Sequence, residues 1–200
     1  MEPEAIFAEA RRQGRTALDE AAGKALLAHY GVAVPRTTVV RDADHVAAAL
    51  DGLRFPVVVK VVSPEILHKS DAGGVSINLK TADEVRDAIR AMAALPKIRS
   101  AHVTGWLIEE MIPSGQEMVV GGLRDPQFGP LVMVGLGGVF VEVLADVAFR
   151  ICPIARLDAE EMIDELKGVA ILKGARGRKP ASREAIIEVL EVQHTFFTEL

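Results

Sequence analysis

Lys60 is the one polar residue in Val57 to Val62, an otherwise β-branched run. An ammonium in such a strand is costly to bury unless it meets an anion. The loop that follows carries Ser63-Pro64, His68-Lys69, Asp71 and Gly73-Gly74, and Val75 to Leu79 then alternates apolar and polar residues. Paired glycines let the backbone turn tightly and bring amide N–H groups close to a ligand. A lysine beside such a loop suits a phosphate, although the spacing is not that of a Walker loop. An ordinary hairpin with one exposed lysine is the alternative. Within the loop, His68 has the chemistry of a phosphoryl carrier, because imidazole is nucleophilic near neutral pH and a good leaving group. Lys69 and Ser70 could steady a phosphoryl group there, and Asp71 could orient the ring. His29, His45, His102 and His194 have no comparable surroundings in the sequence.

Carboxylates gather elsewhere. Glu109, Glu110 and Glu117 flank the end of an apolar run. They suit a metal or acid–base cluster, nucleotide recognition, or a solvated acidic rim. Glu142 follows the glycine turn GLGG and alternates with Val141 and Val143, so it points away from them and could help hold Mg²⁺ through hard oxygen ligands. Asp146 reads as a turn residue. Arg124 and Arg150 could clamp a phosphate as planar forks or form salt bridges near turns. Lys173 to Lys179 reads as a solvated basic loop, with contact to a partner subunit or to CoA phosphates as the alternative, and Cys152, in an apolar strand, as a small buried hydrophobe.

These residues need a scaffold. Leu18, Ala21, Ala22, Ala25, Leu26 and Tyr30 recur at helical spacing, with Thr16 as the expected cap and Gly31 as the end. A strand over Thr37 to Arg41 and a helix over Asp42 to Leu50 precede the hairpin. Thr81 caps a helix to Leu95 that Pro96 stops. Strands are expected at Val103 to Ile112, Gln116 to Leu123, Leu131 to Gly135, Val139 to Leu144 and Arg150 to Ile154. Helices are expected at Asp158 to Lys167 and Ser182 to Phe197. This is a mixed α+β chain with meander-like antiparallel sheets in two lobes. Residues 1–16 form an arm or short helix, 17–200 the domain, and the first lobe covers about 20–112.

The chain has 200 residues, half of them apolar, and a net charge of −5, which suits a globular domain and disfavours nucleic acid as partner. One cysteine fits a reducing cytoplasm. No apolar h-region opens the chain and no apolar run reaches membrane-spanning length.

Four stretches in order, EAAGKALLAHYGV, FPVVVKVVSPEILHKSDAGGVSINL, LIEEMIPSGQEMVVGGLRDPQFGPLVMVGLGGVFVEVLADVAFRICPI and LKGARGRKP, resemble the ATP-grasp β subunit or domain of NDP-forming acyl-CoA synthetases. They are more distantly similar to the succinyl-CoA synthetase β chain. The resemblance implies an ATP-grasp fold with nucleotide between two lobes. It implies a component of an acid–thiol ligase that interconverts acyl-CoA, phosphate and ADP with acid, CoA and ATP. The implied cofactors are ATP or ADP and Mg²⁺, and the implied partner is a CoA-binding α subunit or domain. By position Lys60 resembles the phosphate-binding lysine, and Gly73 and Gly74 the loop over the phosphates. Glu109, Glu110, Met111 and Ile112 resemble the segment whose backbone recognises adenine, Glu117 the ribose-binding acid, and His68 the phosphoryl carrier. Glu142 is a metal ligand on this reading, with the main ligands expected on an Asn-Pro strand and an Asp-ended strand beyond Leu200. Without that segment the isolated chain is expected to be inactive, whether it is truncated or a natural short form. A non-catalytic regulatory domain, like those fused to protein acetyltransferases, is the alternative function.

Overall fold

The computed structural model describes residues 2–66, 68–138, 145–174 and 180–199. The chain divides into two compact units, 1–113 and 114–200.

In the first unit α1 covers Pro3–Arg12 and α2 Glu20–His29. Asp19, not Thr16, caps α2, its carboxylate accepting the Ala22 N–H at 2.9 Å. The cap therefore lies three residues later than the sequence pattern placed it. β1 spans Thr37–Val40. The helix expected after Asp42 is a 3₁₀ turn, Ala43–His45, running into the one-turn α3, Val46–Ala49. β2 (Val57–Val62) and β3 (Val75–Leu79) form the expected hairpin. Thr81 caps α4, Ala82–Ala93. Pro96 does not merely stop α4; it opens another short helix, α5 (Pro96–Arg99), a position where its missing N–H costs nothing. β4 covers Gly105–Glu110 and completes a sheet of order β1-β4-β2-β3.

Strand alternation assigns the faces of this sheet. Val57, Val59, Val61, Trp106 and Ile108 join Val85, Ile89 and Met92 of α4 in one core. Val58, Lys60, Leu107 and Glu109 point the other way. Val58 sits directly opposite Glu109 and Lys60 opposite Leu107, so Lys60 and Glu109 are diagonal neighbours on adjacent strands.

The second unit is a meander of β5 (Met118–Asp125), β6 (Gly129–Leu136) and β7 (Val147–Ile151). The Asp125 carboxylate accepts the N–H groups of Gln127 and Phe128 at 2.7 and 2.9 Å, which closes the β5–β6 turn at Gly129, φ +79°. One sheet face, with Val132, Val134, Leu136 and Ala148, packs on α6 (Arg156–Asp164) and α8 (Arg183–Glu199) through Ala159, Met162, Ile163, Ile187 and Leu190. Asp158 starts α6 from inside its first turn, accepting the Ala155 N–H at 2.7 Å, so the helix opens two residues before the expected start. A short α7, Val169–Leu172, lies between them and was not expected. The strand expected at 139–144, with Glu142, and most of the basic loop, 175–179, lie outside the described residues.

Candidate functional site

The first unit brings Lys60 under the start of α2. Its ammonium donates to Glu20 Oε1 at 2.6 Å and to Glu109 Oε1 at 3.1 Å. Lys24, one turn along α2, also reaches Glu20 Oε1, at 2.8 Å, and pairs with Glu109. Lys69, from the loop after β2, donates to Glu20 Oε2 at 2.5 Å. Three ammonium groups thus surround two carboxylates, and each of the five side chains is about a quarter exposed or less. Burial favours the neutral acid at Glu20, but hydrogen bonds from Lys24, Lys60 and Lys69 outweigh it and hold the carboxyl down at about 2. Burial likewise works against the Lys60 charge, and the bonds to Glu20 and Glu109 overcome it, leaving that lysine above its ordinary value. The cluster is a charged, oriented set of cations with one charge more than its carboxylates supply, suited to an anion.

His68 is exposed and lines an open groove of about 410 Å³ with Lys60, Lys69, Ser70, Asp71 and Val75. Lys60 therefore shares one groove with His68 and Lys69, which are adjacent in the sequence.

The glycines do not supply free amides. The Gly73 N–H bonds to the Ser70 carbonyl at 3.0 Å and the Gly74 N–H to the Lys69 carbonyl at 2.7 Å, while the Ala72 N–H reaches the His68 carbonyl at 3.3 Å. The loop winds on itself, because a short connection must satisfy its own backbone donors. Gly74 has a packing reason to be glycine: a Cβ there would sit 2.4 Å from Val61 Cγ1. Gly73 has a conformational one, φ +71°.

Segment 109–112 is likewise partly committed. Glu109 faces the lysines, whereas Glu110 lies on the opposite face and accepts from Arg54, the backbone N–H at 2.9 Å and the guanidinium at 2.8 and 3.1 Å. Those bonds hold the Glu110 carboxyl below its ordinary range. The Glu110 N–H is bonded to the Arg36 carbonyl and the Met111 N–H to that of Pro56, at 3.0 and 3.1 Å. The expectation that this whole stretch offers its backbone to adenine is corrected for those two donors; the segment's open residue is Ile112, 68 % exposed and past the strand end.

Glu117 belongs to the second unit. Its carbonyl accepts the Gly137 N–H at 2.8 Å, and a Cβ on Gly138 would lie 2.7 Å from its Oε2, so the glycine turn folds against this residue. Arg150 pairs with Glu165 and with Glu161, as the salt-bridge alternative requires. Cys152 is buried, and burial pushes its thiol up. Asp146 is more than a turn residue: nearly fully buried, it accepts the N–H groups of Lys167 and Gly168 at 2.8 and 2.7 Å. Among the described residues no group of three or more His, Cys, Asp or Glu side chains is placed to hold a metal ion, and Glu142 lies outside them. No described helix is long and apolar enough to cross a membrane.

Sequence reasoning missed Glu20 and Lys24 as site residues and took Lys69 only as a neighbour of His68. The available signal was their i, i+4 spacing in Glu20-Ala-Ala-Gly-Lys24, a charged pair on a helix otherwise filled with Ala and Leu.

A four-stranded sheet presenting a lysine from an inner strand, followed by an α+β unit built on an antiparallel meander, is the arrangement of the ATP-grasp class. An ATP-grasp domain model matches residues 9–199. The β subunit of an ADP-forming acetate–CoA ligase I from Pyrococcus furiosus is 46% identical over 187 residues, covering 92% of this chain and 80% of that one. An ADP-forming acetate–CoA ligase I from Archaeoglobus fulgidus is 43% identical over 85% of this chain, which spans only 25% of that protein's length. A solved structure of a Candidatus Korarchaeum cryptofilum dinucleotide-forming acetyl-coenzyme A synthetase matches with TM-score 0.84 and 39% identity, covering 100% of this chain and 87% of that one. That structure holds coenzyme A and Mg-AMPPCP, with its phosphohistidine segment pointing towards the nucleotide binding site. The chain belongs to the ATP-grasp β subunits and domains of the ADP-forming acyl-CoA synthetases.

Proposed function

We propose that this chain is the nucleotide-binding component of an ADP-forming acyl-CoA synthetase, converting acyl-CoA, ADP and phosphate to acid, CoA and ATP with phosphoryl transfer through histidine. The observation that carries the reading is the convergence of Lys60 and Lys69 beside the exposed imidazole of His68. Fixed ammonium groups stabilise the charge that moves between phosphates during transfer. Lys60 and Lys69 bind phosphoryl oxygens, and His68 carries the phosphoryl group. Gly73 and Gly74 act by shaping the loop rather than by offering amides. Ile112 presents its backbone to adenine, and Glu117 meets the ribose hydroxyls. Glu142 contributes to the metal site. Mg²⁺, when bound with the nucleotide, neutralises phosphate charge. The partner is a CoA-binding α subunit or domain, a reading supported by the coenzyme A held in the related Korarchaeum structure. The reaction belongs to the cytoplasm.

Titration calorimetry with ADP tests the phosphate half of the reading. The parent should bind in the high micromolar range, roughly 5 kcal/mol, and Lys60→Ala at least about tenfold more weakly, because a charge-assisted bond is lost. Equal heats would remove Lys60 from the site. With the partner subunit and γ-labelled ATP, the parent should gain acid-labile label that His68→Ala lacks, while ADP binding persists in both. Label of equal size in His68→Ala would make His68 a structural loop residue.

A further inference from the structure

The lysine cluster holds an anion of its own. The two oxygens of Glu20 are divided between Lys60 at 2.6 Å and Lys69 at 2.5 Å, as two oxygens of one phosphoryl group would be. The two lysines differ in what else they hold. Lys60 has a second carboxylate, Glu109 at 3.1 Å, as does Lys24. For Lys69, Glu20 is the acidic partner among the described residues. Lys69 also stands between two grooves. One, of about 410 Å³, is shared with His68 and Lys60; the other, of about 930 Å³, is lined by Glu20, Arg15 and Thr16. Glu20 therefore also borders the larger groove, where Arg15 stands paired with Asp19.

We propose that Glu20 is a resident counter-anion, which holds Lys60 and Lys69 in place while the site is empty and is displaced into the larger groove by the phosphoryl group that those lysines bind. The proposal rests on the phosphate reading of Lys60. Three ammonium groups this close, without a carboxylate between them, would repel one another and swing apart. The residue that prevents this must then compete with the phosphoryl group, which brings more negative charge than a carboxylate and replaces it. Glu109 remains behind to hold Lys60 and Lys24.

Competition inverts the usual sign of a binding-site mutation. Titration calorimetry with inorganic phosphate on the full chain should show Glu20→Gln binding about tenfold tighter than the parent, since a neutral amide competes poorly with the anion. In a Lys69→Met background the same change should gain about threefold or less, because the lysine that Glu20 blocks is gone. A Glu20→Gln protein with parental circular dichroism that binds phosphate no tighter would overturn the proposal, as would a full gain that persists without Lys69. Should Glu20→Gln not fold, infrared difference spectra of the parent with ¹³C-labelled glutamate decide. A glutamate carboxylate band that shifts on adding phosphate supports displacement, and an unmoved band refutes it. Phosphate binding that Lys60→Ala abolishes but Glu20→Gln does not strengthen refutes the counter-anion alone. Absence of binding by parent and variants alike refutes it together with the phosphate reading.

Discussion

The two units bury their carboxylates by different means. In residues 1–113 the inner strand β4 is buried along its whole length and still ends in Glu109 and Glu110. Lysines from α2 and β2 compensate Glu109, and Arg54 compensates Glu110. In residues 114–200 the ion pairs Arg183–Asp164 and Arg156–Glu160 lie on the rim between exposed partners, and the buried acid, Asp146, is satisfied by two backbone N–H groups. A carboxylate held by backbone amides fastens one segment to another and leaves no cation over. A carboxylate held by lysines leaves mobile cations that another anion can claim. That difference is why the proposed anion site falls in the first unit although both units carry many charges.

The comparison breaks first if the sheets are not what anchor the units. Ile108 and Leu190 are both fully buried, one in each core. Truncating either to Ala should cost about 3 kcal/mol in urea unfolding. Trp106, the chain's single tryptophan, sits on β4 and reports the first unit by fluorescence. A loss under about 1 kcal/mol for Ile108→Ala would deny β4 its central place. The contrast sharpens with Asp146→Ala, which orphans two amides and should cost about 2 kcal/mol, with phosphate binding unchanged. A matching loss of phosphate affinity would mean that the two kinds of buried acid are not separate in function.

Acid should distinguish the units by a smaller amount. Glu20 is depressed from 4.5 to about 2 in the folded chain, so its stabilisation is present above about pH 4.5 and is lost as pH falls towards 2. For a partly exposed group this amounts to about 1 kcal/mol after solvent screening. The Trp106 signal of the parent should therefore lose stability over that window, and Glu20→Gln should flatten the loss. Identical acid profiles would show that Glu20 is not held by the lysines. The smallest change is Gly23→Ala in α2, where an added Cβ meets nothing within 4 Å. It should stabilise the first unit by about 0.5–1 kcal/mol and leave phosphate binding alone. Weaker binding would mean that the backbone of α2, not only its side chains, adapts to the anion.

Local physics was legible in the residues. The β-branched run around Lys60 and the alternation after Gly74 mark β2 and β3, and the apolar face of Val85, Ile89 and Met92 marks α4. Lys60 also announced, by its place in an apolar strand, that it needs an anion; in the folded chain the anions are Glu20 and Glu109, 40 and 49 residues away. Less legible was what each loop does with its own donors. Gly73-Gly74 reads as open backbone, yet its N–H groups close the turn, because residues three and five positions back compete for them before any ligand does. The cap of α2 was misplaced for a related reason: Thr16 and Asp19 can both cap a helix, and the chain's path between α1 and α2 selects Asp19.

The sequence by itself determined most strands, most helices and the need of Lys60 for a negative partner. These follow from periodicity and side-chain chemistry, which act over a few residues. Only the tertiary structure decided which cations Glu109 and Glu110 meet, and that Glu20, Lys24 and Lys69 meet Lys60. Those outcomes depend on the register of β4 against β2 and on where α2 lies on the sheet, and register joins residues that no local pattern connects.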